Sequence, residues 1–262
     1  MTDNPWIRPS NPLVIAHRGH SIALPENTMS AYERAVELGT DMIECDVNIT
    51  RDGVLVMLHD SKLDRTTDGR GQVHDFSMDE VERLDAGRWM GPEHAGARVP
   101  TTEALLRFAK DAGILMCFEV KGADDVEADR IAIDLVDLFV RHDALEWAFM
   151  SSYHHRAMRV ARQRVPELML APERLPDDVP ADPVEASSQA ARLGAPVLQN
   201  HWRFATDELV GQLHADGIAL WTWPTTELEG IELSLDIGAD AVMGDDVPAM
   251  VDAVRRRTGS TA

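Results

Sequence analysis

Short apolar runs alternate with segments of helical spacing along nearly the whole of this 262-residue chain, and that rhythm limits the folds open to it. The runs lie at 13–17, 42–47, 115–121, 147–152, 168–172, 197–200, 218–223 and 241–245. Between them apolar residues recur at helical spacing, over 29–38, 131–141, 155–164, 186–193, 206–215 and 227–235. Gly39, Gly194, Gly217 and Gly238 each follow such a segment, where a helix cap favours glycine. Strands that alternate with helices build parallel βαβ units. Eight units in a chain of this length predict an α/β protein, a closed TIM (β/α)8 barrel. A doubly wound open sheet would need a glycine-rich phosphate loop after its first strand, and HRGHSIALPEN is not one.

One interval breaks the rhythm. Residues 48–114 separate the second and third runs and open with ITRDGVLVMLHD, where Arg-Asp-Gly reads as a turn between two short β runs. Further on, Ser77 and Glu80 have capping-box spacing. The interval is expected to be an insertion in the second βα loop that covers the active face. No linker sets it apart, so residues 1–262 read as a single domain.

The chain is 44% hydrophobic, enough for a sizeable core, and no apolar run is long enough to span a membrane. The start, MTDNPWIRPSNP, lacks a basic region followed by an apolar stretch, so a cytoplasmic protein is expected. With 25 basic against 45 acidic residues the net charge is −20. Such a surface repels nucleic acid and anionic membranes, which excludes both as partners. An anionic substrate would need locally concentrated positive charge. On strands, Cys45 and Cys117 would leave in different directions, so no disulfide is expected, in keeping with a reducing compartment.

In a barrel, groups at the C-terminal strand ends converge. Here those ends carry His17 and Arg18, Glu44 and Asp46, Glu119 and Lys121, then Ser151, Asn200, Trp221 and Asp245. Carboxylates at such positions are costly unless they are paired or bound to a cation. Glu44 and Asp46 lie two apart and leave one face of their strand, and Glu119 has matching parity on a neighbouring strand. Three hard oxygen donors suit Mg²⁺ or Ca²⁺ better than Zn²⁺; the competing reading is a structural ion network with Arg18 and Lys121. His17 and His59 end the runs IAH and VLVMLH, and two such histidines beside carboxylates suit a general acid/base pair. Trp221 offers either an aromatic face to a ligand or core packing.

These pieces together resemble the glycerophosphodiester phosphodiesterase family. HRG, PENT, IECDV, TRDG, the HD of LHD and LDRTT carry the likeness densely from Ile15 to Gly71; FEVK, SSY, LWTW and GADAVMGDDVP extend it sparsely. The resemblance implies a TIM barrel that hydrolyses a small glycerophosphodiester to sn-glycerol 3-phosphate and an alcohol, with a divalent cation (Mg²⁺ or Ca²⁺, Mn²⁺ also serving). It implies that His17 and His59 are the acid/base pair and that Glu44, Asp46 and Glu119 are metal ligands. By the same likeness Arg18 and Lys121 hold phosphate oxygens and Trp221 packs beside the glycerol. Two stretches depart from the pattern. Trp221-Thr222-Trp223-Pro224 stands where the family commonly has Trp-Thr-Val-Asn, and Gly244-Asp245-Asp246 where it has Thr-Asp; both are expected to bear on substrate choice. A phospholipase D-like barrel acting on lysophospholipids or sphingolipids would favour an exposed apolar or basic surface. A non-catalytic phosphodiester-binding barrel would lack one of His17, His59, Glu44, Asp46 or Glu119, all of which are present.

Overall fold

The computed structural model describes residues 4–259. From β1 (Leu13–His17) the chain passes through α1 (Met29–Glu37) into β2 (Met42–Ile49), which turns back as the short antiparallel β3 (Leu55–Met57). A short helix, α2 (Met78–Val81), follows, and then βα units run to the C-terminus: α3 (Thr102–Ala112), β4 (Leu115–Val120), α4 (Asp125–Arg141), β5 (Ala148–Ser151), α5 (His155–Arg164) and β6 (Met169–Leu170). The last are α6 (Pro183–Leu193), β7 (Val197–His201), α7 (Asp207–Ala215), β8 (Ala219–Trp223), α8 (Leu228–Asp236), β9 (Ala241–Gly244) and α9 (Val247–Thr258).

Eight strands pair in the order β6-β5-β4-β2-β1-β9-β8-β7, all parallel. The remaining seam is closed by a parallel bridge between Glu173 and Gln199, with Gln199 N–H donating to Pro172 O (2.8 Å) and Arg174 N–H to Gln199 O (2.9 Å). The predicted barrel is therefore present. Among the described residues, no helix is long and apolar enough to cross a membrane.

Both ends of the interval expected to be an insertion are regular elements of the barrel. Its C-terminal part is the barrel's own crossover helix α3, which Thr101 starts by accepting from Ala104 N–H and Gly113 ends at φ 65°. Its N-terminal end is strand, since β2 runs on to Ile49. What remains has a small core of its own built on Val56, Leu58, Leu63, Val73, Val81 and Val99. The capping box of Ser77 and Glu80 forms as its spacing predicted.

Strand period two sorts the side chains into two cores. One face of each strand packs on the helices, with Val14, Ile43, Cys45, Phe118, Met150 and Leu220 among the contacts. The other face fills the barrel with Leu13, Ile15, Met42, Cys117, Phe149 and Trp221. Cys45 and Cys117 thus lie in separate cores, both free thiols. The N-terminal segment plugs the base, with Trp6 meeting Phe149 edge-on at 4.8 Å and Trp221 at 6.5 Å.

This places Trp221 elsewhere than expected. Its indole is fully buried against Phe149 (4.9 Å) and Trp6 in the lower barrel, one strand layer beneath the strand ends. It is packed as core; the residue two positions on, Trp223, reaches the layer at the strand ends. Trp221→Ala should accordingly lower unfolding free energy by about 3–5 kcal/mol in denaturant titration. An unchanged stability with a raised KM would return Trp221 to the substrate.

Candidate active site

Two residues beyond the last apolar layer, the inward side chains become polar on strand after strand. Ile15 is followed by His17, Met42 by Glu44 and Asp46, Cys117 by Glu119, Ala171 by Glu173, Trp221 by Trp223 and Met243 by Asp245. A small cavity at this level is lined by His17, Arg18, Glu44, His59, Glu119, Lys121, Tyr153, Glu173, Gln199 and Trp223, together with Met243. The larger groove beside β3 and α4, bordered by Glu103, Asp134, Asp137 and Arg141, gathers no comparable set of groups.

Register brings the carboxylates together. Asp46 lies directly opposite Glu119 on β4, and His17 opposite Glu44 on β2. Glu44, Asp46 and Glu119 each place a carboxylate oxygen within 4.8 Å of the others. Asp46 is wholly buried and Glu44 nearly so. Lys121 Nζ lies 3.1 Å from Asp46 Oδ1 and 2.6 Å from Glu119 Oε1, and Arg18 Nε lies 3.0 Å from Asp46 Oδ2. These are ion-pair contacts without good hydrogen-bond alignment, so Glu44 Oε1, Asp46 Oδ1 and Glu119 Oε1 remain without hydrogen-bond partners. Three buried hard oxygens in one place, incompletely satisfied by protein, fit a divalent cation.

The electrostatics divide the cluster. Burial, added to by the charges of Asp46 and Glu119, pushes Glu44 well above the usual carboxylate range. Burial acts the same way on Asp46, but Lys121 and Arg18 outweigh it and hold that carboxyl well below its ordinary range. Burial would lower both cations, yet the facing carboxylates, Asp46 foremost, raise Lys121 and Arg18 above theirs.

Local backbone explains how β1 delivers these groups. Arg18 and Asn27 both adopt left-handed φ, 57° and 56°, which costs energy outside glycine and is typical of functional turns. Asn27 repays it by donating to Asp46 Oδ2 (2.7 Å) while its own Oδ1 accepts from Tyr32 Oη (2.9 Å). Gly19 (φ 85°) is packed so closely that a Cβ there would lie 2.6 Å from the Ala31 carbonyl carbon.

Each histidine is oriented by an aspartate. His17 Nδ1 is 2.7 Å from Asp245 Oδ1, and His59 Nδ1 is 2.6 Å from Asp60 Oδ1. Arg65, bonded to Asp60, is the foremost cause holding its carboxyl at about 2. At Asp245 burial works the other way, but His17, Thr226 and Ser21 hold the carboxyl at about 2. Both are therefore ionised acceptors at neutral pH, which assigns the Nδ1 proton to each ring and frees Nε2 for proton exchange. The segment after β3 carries His59, and Asn48 on β2 fixes it by donating to Leu58 O (2.8 Å) and Asp60 O (3.1 Å).

Trp223 and Asp245 lie in the two stretches expected to bear on substrate choice, whereas nothing in the sequence assigns a role to Asp60 or Glu173. Strand parity puts Trp223 and Asp245 on the inward face, whereas Glu173 follows a strand of two residues and Asp60 stands beside a candidate histidine. The Gly244 departure has a packing cause: a Cβ there would sit 2.5 Å from Thr225 O. Thr226 of the same loop donates to Asp245 Oδ2 (2.9 Å).

The model of the glycerophosphoryl diester phosphodiesterase family matches residues 17–249. A glycerophosphodiester phosphodiesterase of Caldanaerobacter subterraneus is 34% identical over 93% of this chain and 98% of its own. An Oleispira antarctica phosphodiesterase, solved with its product sn-glycerol 3-phosphate, superposes with a TM-score of 0.84 at 27% identity, covering 93% of this chain and 96% of that one. A glycerophosphodiester phosphodiesterase of Agrobacterium tumefaciens shares the fold, with a TM-score of 0.78 at 23% identity over 92% of this chain and 99% of that one.

Asp245→Asn should keep the fold at pH 7 and lower kcat by about 10²-fold or more through the lost orientation of His17. The stability contributed by Asp245 is present above the unfolded pKa of 3.8 and fades as pH falls through its folded value of about 2. Wild type should therefore exceed Asp245→Asn in stability at pH 6, with the difference closing by pH 2.

Proposed function

Because this chain belongs to the glycerophosphoryl diester phosphodiesterase family, we propose that it hydrolyses glycerophosphodiesters to sn-glycerol 3-phosphate and an alcohol, using His17 and His59 as acid and base beside a divalent cation. The observation that carries this reading is convergence. Two aspartate-oriented histidines, three incompletely satisfied carboxylates and two half-buried cations gather at a single small cavity.

Glu44, Asp46 and Glu119 would hold the cation, Mg²⁺ or Ca²⁺ by the hardness of the donors. When bound, it supplies Lewis-acid polarisation of a phosphoryl oxygen. The chain's own groups do the rest. Arg18 and Lys121 attract the phosphate into an otherwise strongly acidic molecule and oppose the charge developing on its oxygens. One imidazole Nε2 accepts the proton of the attacking hydroxyl, and the other ring delivers a proton to the departing alkoxide as the P–O bond breaks. Asp245 and Asp60 keep each ring in the required tautomer and stabilise it when charged.

Incubated with glycerophosphocholine, glycerophosphoethanolamine or glycerophosphoglycerol, the protein is expected to release glycerol 3-phosphate, to stop in EDTA and to resume with Mg²⁺, Ca²⁺ or Mn²⁺. His17→Ala and His59→Ala should each reduce kcat by about 10²–10⁴-fold. Product release indifferent to EDTA, or full activity in either variant, would contradict the scheme. Activity confined to lysophospholipids would replace the substrate.

A further inference from the structure

PENT and LDRTT carry much of the family likeness, yet of their residues only Asn27 has a task in the site described above. Glu26 of the first and Arg65 of the second bond one another across 39 positions. Arg65 Nη1 and Nη2 donate to the two oxygens of Glu26 (2.7 and 2.8 Å), while its Nε and Nη2 donate to the two oxygens of Asp60 (2.8 and 3.1 Å). One planar guanidinium thus holds two carboxylates, each by both oxygens, a geometry that a lysine ammonium does not supply.

Stability does not account for this arrangement. The Arg65 side chain is 42% exposed, and ion pairs so open to water contribute little to folding. What the fork fixes is direction. Asp60 is the carboxylate against which His59 Nδ1 is set (2.6 Å), and its side chain is itself 34% exposed. Among the described residues, Arg65 is the only other side chain that bonds the Asp60 carboxylate. Asp245, which has the same relation to His17, also accepts from Ser21 and Thr226 and directly follows β9. The two histidines are therefore supported unequally, and the support of His59 passes through one arginine. Glu26 in turn accepts from Arg18 Nη1 (3.0 Å), which ties Arg65 to the turn after β1.

We propose that Arg65 is a positioning residue for the reaction, an inference that rests on the function proposed above. It clamps Asp60 so that His59 keeps its proton on Nδ1 and its Nε2 free for exchange, and Glu26 anchors the clamp to the turn that carries Arg18. Held by both oxygens, Asp60 has one orientation. Released, it would let the ring turn or change tautomer, and proton transfer at Nε2 would slow.

The test is a double-variant cycle on glycerophosphocholine turnover, with the ring nitrogen NMR shifts of His59 read in parallel. Arg65→Gln should lower kcat about tenfold or more while KM changes less than about threefold. In an Asp60→Asn background the same replacement should lower kcat by less than about threefold, because the group it acts through is already altered. Arg65→Lys, which keeps the charge without the fork, should recover part of the lost kcat. The neutral His59 ring should carry its proton on Nδ1 in wild type and show both tautomers in Arg65→Gln. Circular dichroism and the unfolding midpoint establish that each variant is folded. A folded Arg65→Gln that keeps the wild-type kcat, that loses the same factor with and without Asp60, or that raises KM alone overturns the clamp while the proposed function stands. Should wild type hydrolyse no glycerophosphodiester, the proposed function falls; an unchanged His59 tautomer in Arg65→Gln then overturns the clamp separately.

Discussion

Asp46 has no contact with solvent, yet it is held as an anion between two other carboxylates. Only the nearby Lys121 and Arg18 make this tenable, and each is itself nearly enclosed. Removing one member of such a group strands a buried charge, at a cost of about 3–5 kcal/mol. Much of the local architecture answers to that constraint. The register of β2 on β4 sets Asp46 opposite Glu119, and the left-handed turn after β1 brings Arg18 and Asn27 back onto Asp46. An apolar barrel top would be more stable. This one retains unsatisfied oxygens, as the cation and phosphate of the proposed reaction would require.

The same electrostatic logic fastens the segment outside the barrel. Arg65 bonds Asp60 (2.8 Å) and, with both terminal nitrogens, Glu26 (2.7 and 2.8 Å); Glu26 in turn bonds Arg18 (3.0 Å). A single chain of charges therefore runs from the His59 partner to Asp46. The small apolar core of the segment between β3 and α3 gives it a fixed shape, and this chain of ion pairs gives it a fixed place. His59, delivered from outside the barrel, is held in place by Asn48 and Asp60.

Much of this was legible in the sequence because it follows from period and parity. The eight strand positions, the capped helices, the Arg-Asp-Gly turn into β3 and the inward set Glu44, Asp46 and Glu119 all rest on local regularities. What escaped depends on packing. Trp221 and Trp223 share one face of β8, and nothing in LWTW says which of them the Trp6 plug leaves below the site. The helix α3 lay hidden in an interval that looked like insertion, because loop and helix there meet without a break in composition. Arg65 gains its meaning from Glu26, 39 positions away, which no local pattern encodes. Glu173 follows a two-residue strand, too short for its parity to stand out.

The central claim is that Glu44, Asp46 and Glu119 form a cation site on which the rest of the active site is organised. Calorimetric titration of Mg²⁺ or Ca²⁺ into the cation-free protein tests it most directly. The account predicts one ion bound per chain in wild type and loss of that binding in Asp46→Asn and Glu119→Gln variants that remain folded. Wild-type protein that binds no cation, or variants that bind it as tightly as wild type, would contradict it.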